Sequence, residues 1–141
     1  MFKRSLAILA AIVATAAVAV STPYAQPSIQ PPDAALASIK NAVVNAIGAE
    51  TSTIELSTTA KIFTVKVVNG KFVDATPAGR ENEAAAIESI VANAIAGQAQ
   101  FKGIVVIVVE YVKRRNGGRS RVVDSIEFRK DTTGAFRHHM T

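Results

Sequence analysis

The sequence contains no cysteine and no tryptophan, and it has only two histidines and two methionines among its 141 residues. Without cysteine the chain can form no disulfide, thiolate zinc site, iron–sulfur cluster or thiol nucleophile. It also lacks a phosphate-binding glycine loop, a G-x-S-x-G or H-E-x-x-H motif and a calcium-binding EF-hand loop. We therefore predict no catalytic residues, no metal site and no cofactor.

Charged residues are scarce at 19% and aromatic residues at 6%, whereas hydrophobic residues make up 49% of the chain. This apolar fraction is too high for a disordered protein. The length suits one domain, and the sequence shows no periodic repeat of the kind that solenoid proteins have. We expect one domain whose core is held together by packing alone.

The N-terminal segment has the composition of an export signal. Lys3 and Arg4 precede an uncharged run of 15 residues, 6–20, rich in alanine and valine. The run is shorter than the roughly 20 apolar residues that a spanning helix needs. We assign residues 1–25 to a secretory signal peptide and predict an exported protein, periplasmic or secreted. The candidate cleavage positions follow Ala19, Ser21 and Ala25. An uncleaved N-terminal anchor is the alternative.

Positive charge is concentrated in the C-terminal third. The formal net charge is +5, but residues 26–101 contain five basic and seven acidic residues, and residues 102–141 contain nine basic and four acidic ones. Such asymmetry points to an anionic partner for this part of the chain.

Two helices are predicted after a proline-rich lead-in at residues 26–32. Asp33 is a candidate N-cap for a helix over 33–48, which carries apolar residues at helical spacing and ends at Gly48. A second helix over about 78–96 begins after Thr76-Pro77 and stops at Gly97. Its expected buried stripe is Ile87, Ile90, Val91, Ala94 and Ile95. Glu81, Glu83 and Glu88 are expected on its solvated face.

Alternating apolar residues predict a strand over 61–68. Asn69-Gly70 suggests a tight turn after it, with 71–73 as a short return strand. Residues 53–58 are only weakly strand-like.

A long hairpin dominates the last third. Residues 104–112 are almost continuously apolar and predict a central strand, and 121–130 predict the returning strand. A two-residue loop gives the better core, because it places most of the large apolar side chains on one face. That face would contain Val105, Ile107, Val109, Tyr111, Val122, Ile126 and Phe128.

The predicted fold is α+β. Residues 33–141 would form one two-layer domain with a largely antiparallel sheet of about four strands and two helices packed on one face. The expected element order is α-β-(β)-α-β-β-(β), where the strands in brackets are the short strands over 71–73 and 135–140.

The candidate binding site is the tip of the long hairpin. Five cations lie there within nine residues without an intervening acid: Lys113, Arg114, Arg115, Arg119 and Arg121. We predict a non-catalytic binding module whose tip contacts an anionic envelope component or an acidic protein. Nucleic acid fits less well, because the one nearby aromatic, Tyr111, would be buried and could not stack on bases. The alternative is a solvated hairpin end whose charges prevent aggregation.

Two further hypotheses have a different basis. Ile104, Val106 and Val108 would form an apolar strip on the second sheet face, which predicts a homo-oligomer. His138 or His139 beside Asp124, Glu110 or Glu127 would be the basis of a small hydrolase. Neighbouring residues on a strand point to opposite faces, so the two histidines do not make a metal site. Asp124 and Glu110 are expected to pair with arginines of the adjacent strand.

Overall fold

The computed structural model describes residues 32–139 as two α-helices and five β-strands. The predicted signal peptide, nearly all of the lead-in and Met140 lie outside the described residues. In chain order the elements are α1 (Pro32–Ile47), β1 (Ile54–Thr58), β2 (Ile62–Val68), α2 (Pro77–Ile95), β3 (Val106–Arg114), β4 (Ser120–Lys130) and β5 (Phe136–His139).

The boundaries of α2 follow from local chemistry. The Thr76 hydroxyl accepts a hydrogen bond from the Gly79 amide at 3.2 Å, and Pro77 occupies the first turn, where its missing N–H costs nothing. Gly97, with φ +74°, follows the helix in a left-handed conformation. Helix α1 begins one residue earlier than expected, so Asp33 lies within its first turn and is not the N-cap.

The sheet has five strands in the order β1-β2-β3-β4-β5, one more than predicted. Strands β2 and β3 are parallel, and the other three neighbouring pairs are antiparallel. The sheet is therefore mixed, because α2 carries the chain back across the sheet before β3 begins. The α+β class is confirmed, whereas the four-stranded, largely antiparallel sheet was wrong in detail.

The predicted return strand over 71–73 does not form. Asn69 adopts a positive φ of 52°, as the Asn-Gly signal suggested, but its side chain is bonded to β3. Its Nδ2 donates to the Arg114 carbonyl at 3.0 Å, and its Oδ1 accepts from the Arg114 amide at 2.8 Å. The chain then turns, with Val73 buried in the core, and β2 instead pairs with 54–58 as an antiparallel neighbour.

The β3–β4 hairpin reaches the expected core register by another route. Arg115 donates from its amide to the Arg119 carbonyl at 3.0 Å, so the loop contains three residues and the predicted two-residue loop was wrong. The register then shifts between Tyr111 and Val112, where β4 carries one extra residue, Val123. This β-bulge returns Tyr111 to a position opposite Asp124.

One hydrophobic cluster contains residues from both helices and from alternate positions of the strands. Helix α1 contacts β1, and α2 contacts β3, β4 and β5, so the two helices lie over different parts of the sheet. Three apolar residues differ from expectation. Ile104 precedes β3 and is buried in the core, whereas Val105 and Val122 are 42% and 53% exposed. The bulge turns Val122 away from the core.

Candidate functional site

The hairpin tip brings four of the five predicted cations to one side of the sheet. Lys113, Arg115, Arg119 and Arg121 line a shallow cleft of about 330 Å³ together with Ser120. The three-residue loop places odd-numbered residues of β3 opposite odd-numbered residues of β4, as in the pair Lys113–Arg121. Because residues directly opposite each other point to the same side of the sheet, these cations share a side.

Arg114 lies on the opposite side. One of its Nη atoms is 2.9 Å from Glu55 Oε1, and its Nε donates to Ser120 Oγ at 3.1 Å. Arg114 therefore does not project with the other four cations, contrary to expectation. Its side chain links β3 to the edge strand β1 across β2.

The remaining cations differ in their pairing. Lys113 Nζ is 2.7 Å from Asp74 Oδ1, although both side chains are largely exposed. Within residues 32–139, no carboxylate lies within ion-pair distance of Arg115, Arg119 or Arg121. These three exposed guanidinium groups, which we call the arginine triplet, form a local positive field that is not neutralised by the described part of the protein.

The side chains of the two C-terminal histidines, His138 and His139, make no hydrogen bond or ion pair with a carboxylate within residues 32–139. His138 packs against Phe128 with ring centroids 5.6 Å apart, and His139 is in register with Glu127 on the other face. Both imidazoles are exposed, and Glu127 pairs with Arg129. No group of three or more potential metal ligands occurs among residues 32–139.

Asp124 lies on the core side of β4, as predicted, but its partner was wrongly expected on the adjacent strand. Its Oδ2 accepts from Arg80 Nε of α2 at 2.7 Å. Arg80 Nη1 also donates to the carbonyls of Val73 at 3.5 Å and Ala75 at 2.5 Å. Glu110, on the other face, pairs with Lys66 at 3.6 Å, again not with an arginine.

A buried carboxyl group was missed at the sequence level. Glu83, expected on a solvated helix face, is only 9% exposed, and its Oε1 has no hydrogen-bond partner within residues 32–139. Burial raises the pKa of Glu83 above its usual value, and this shift is opposed by the nearby Tyr111 hydroxyl and by Lys71. The tyrosine hydroxyl donates to the Arg80 carbonyl at 2.9 Å.

The signal for these polar residues was present in the helical periodicity. Counting back from Ile87, the first residue of the apolar stripe, by four and seven positions gives Glu83 and Arg80. Both therefore lie on the core side of α2, where the structure buries them.

The second sheet face is less apolar than predicted. Val106 and Val108 are half-buried there, but the third member of the expected strip, Ile104, belongs to the core. The ion pairs Lys66–Glu110 and Arg129–Glu127 lie on the same face. The homo-oligomer remains a prediction, with a mixed polar and apolar surface as its basis.

Comparison with known proteins gives no match to a family model, a curated sequence or a solved structure. Neither of the two helices within residues 32–139 is both long enough and apolar enough to cross a bilayer.

Proposed function

We propose that the protein is a small exported binding module, periplasmic or secreted, that contacts an anionic component of the cell envelope through the arginine triplet. The observation that carries the proposal is the absence of carboxylate partners for Arg115, Arg119 and Arg121 within residues 32–139, although Lys113 and Arg114 nearby are both paired. If the charges of the hairpin served only solubility, there would be no advantage in placing three unpaired arginines on the same side of it.

The chemistry of the arginine triplet suits oxygen anions. A guanidinium group presents a planar fork of N–H donors that can bind a phosphate or carboxylate in bidentate fashion. Gly117 and Gly118, with φ of +98° and +86°, form the turn that sets the flanking arginines close together. The side chains line the cleft of about 330 Å³ described above. Phosphate-rich headgroups fit this combination of shape and charge.

The test uses vesicles of phosphatidylglycerol and phosphatidylcholine, with pure phosphatidylcholine vesicles and soluble polyglutamate as comparisons. We expect the protein to sediment with the anionic vesicles at low salt and to be released as ionic strength rises. Each basic side chain near an anionic surface contributes about 1 kcal/mol. Replacing the arginine triplet by glutamine should therefore weaken binding on the order of 100-fold.

The matched control removes three positive charges elsewhere, by Lys40→Gln, Lys61→Gln and Lys102→Gln in one variant. This variant has the same net charge as the triplet variant and should retain most of the binding. Equal losses in the two variants would show that only net charge matters and would overturn the assigned site. Binding to polyglutamate but not to the vesicles would indicate that the partner is an acidic protein and not an envelope component. Binding to neither probe would refute the proposal.

Export is tested separately. N-terminal sequencing of the protein recovered from its native host should find a chain that begins within residues 20–26. An intact Met1 would contradict a cleaved signal peptide.

A further inference from the structure

A second cleft, of about 310 Å³, lies on a different part of the molecule from the arginine triplet. It is bounded by the end of α1 and the following residues, by the segment that leaves β2, and by Glu83 of α2. Ile47, Ala49 and Val67 provide apolar walls, and Thr53 and Asn69 provide polar groups.

Glu83 is buried with one of its two carboxyl oxygens unpaired in the described part of the chain. It is more than nine-tenths buried, and its Oε1 has no hydrogen-bond donor within residues 32–139. Arg80, the nearest cation on the same helix, is already bonded to Asp124 and to backbone carbonyls. A buried carboxyl oxygen without a donor destabilises a fold, and such local conflicts are found mainly at functional sites.

The electrostatic surroundings favour a cation in this cleft. Helix α1 ends there, and no basic residue lies in its last turn to offset the negative end of its dipole. Glu50 adds a second carboxylate at the exposed rim. Lys71 is the one cationic side chain lining the cleft; its Nζ lies 5.0 Å from the centroid of the Phe72 ring, and its charge partly opposes the rise in the pKa of Glu83.

We propose that this cleft binds a primary alkylammonium group, with the nitrogen at Glu83 and the alkyl chain against Ile47 and Val67. An ammonium supplies the donor that Glu83 Oε1 lacks within residues 32–139. A divalent metal ion fits less well, because the two carboxylates of the cleft are too few for its coordination and no cluster of three potential ligands occurs among residues 32–139. Two sources share this chemistry: a polyamine and a lysine side chain of a peptide.

The proposal includes a dependence on pH. Tyr111 of β3 and Lys71 act directly on Glu83, and Glu50 lies at the rim of the cleft. Arg80 of the same helix and Asp124 of β4 act on Tyr111. Burial raises the pKa of Glu83, so a larger fraction of this carboxyl is protonated at mildly acidic pH than for an exposed glutamate. Affinity for an ammonium should therefore increase with pH through this range, and binding should release a proton.

The test titrates n-butylammonium chloride into the isotopically labelled protein and follows backbone and side-chain NMR signals. n-Butanol serves as the matched uncharged probe, because it has the same alkyl chain. We expect saturable shifts confined to the residues that line this cleft, and a much weaker response to n-butanol. Putrescine and the tripeptide Gly-Lys-Gly then identify the source, and tighter binding of either one supports the proposal.

The decisive variant is Glu83→Gln, which keeps the shape of the side chain and removes its charge. It should weaken n-butylammonium binding on the order of 10- to 100-fold, the loss expected for one charge-assisted hydrogen bond. Glu81→Gln, on the exposed side of the same helix, is the matched control and should leave the affinity unchanged.

Glu50→Lys provides a variant that alters only the exposed rim and does not endanger the core. It should weaken binding several-fold by placing a positive charge at the entrance. No saturable binding of n-butylammonium, equal binding of n-butanol, or unchanged affinity in Glu83→Gln would each overturn the proposal. The vesicle-binding experiment for the arginine triplet does not depend on this cleft, so the two proposals can fail independently.

Discussion

The ion pair between Arg80 and Asp124 leads to the most quantitative prediction. Arg80 Nε and Asp124 Oδ2 are 2.7 Å apart, and the two side chains are 10% and 30% exposed. At an effective dielectric constant of about 20, charges at this distance attract each other by roughly 6 kcal/mol. The cost of removing the guanidinium group from water offsets part of this attraction.

Replacing Asp124 by alanine removes the attraction but leaves the guanidinium buried. Removing one partner of a buried pair typically costs about 3–5 kcal/mol. Because Asp124 retains some contact with solvent, we expect the lower end, a loss of about 3 kcal/mol. Arg80→Met keeps the apolar stem and should cost about 2 kcal/mol, since the Val73 and Ala75 carbonyls lose their donor. The double variant should cost about 3 kcal/mol, which gives a coupling energy of about 2 kcal/mol.

Urea unfolding followed by circular dichroism measures these values. The chain offers a matched control in Glu127, whose side chain is also 30% exposed but whose partner Arg129 is 56% exposed. Glu127→Ala should cost no more than about 1 kcal/mol, as is usual for surface pairs. The two carboxylates therefore differ mainly in the burial of their partners. Equal losses for Asp124→Ala and Glu127→Ala would refute the reasoning that the buried guanidinium determines the cost.

Two further predictions concern loops. Asn69→Ala should lower the free energy of unfolding by about 2 kcal/mol, because it removes both hydrogen bonds to the Arg114 backbone and puts alanine, which tolerates a positive φ less well than asparagine, at φ 52°; Asn69→Gly loses the same hydrogen bonds but relieves the backbone strain, and should cost less in the same urea assay. Hydrogen bonds from Thr133 and the Ala135 amide, among others, lower the pKa of Asp131 from 3.8 to about 2. Because the folded-state pKa is the lower one, this stabilisation is complete above about pH 4 and disappears as the pH falls towards 2. NMR titration of the Asp131 carboxyl group checks the shift, and a midpoint at its ordinary value would contradict the loop geometry.

Much of the secondary structure could be predicted from the sequence. The spacing of apolar residues locates α1 and α2 to within a residue or two, and Thr76-Pro77 predicts how α2 begins. The continuous apolar run indicates β3, and the alternation after it indicates β4. These signals are local, because each depends on the period of one element.

The errors concern contacts between distant segments. The sequence cannot show that the Asn69 side chain bonds to the Arg114 backbone, and this contact decides that 71–73 do not form a strand. The loop is one residue longer than predicted, and the bulge at Val123 compensates for this in the pairing of β3 with β4. The core face was right from Ile107 to Tyr111, because burying Ile107 and Ile126 constrains the register more strongly than the turn does. It was wrong at Val105 and Val122, which are exposed.

The candidate sites show the same division. The sequence alone determined that this chain has no cysteine chemistry, that its positive charge is concentrated in the last third, and that a basic tip joins β3 to β4. Only the tertiary structure decided which cations are neutralised, because Asp74 and Glu55 approach the tip from distant segments. It also decided that Glu83 Oε1 has no donor within residues 32–139, since this depends on which side chains of other elements reach a buried atom.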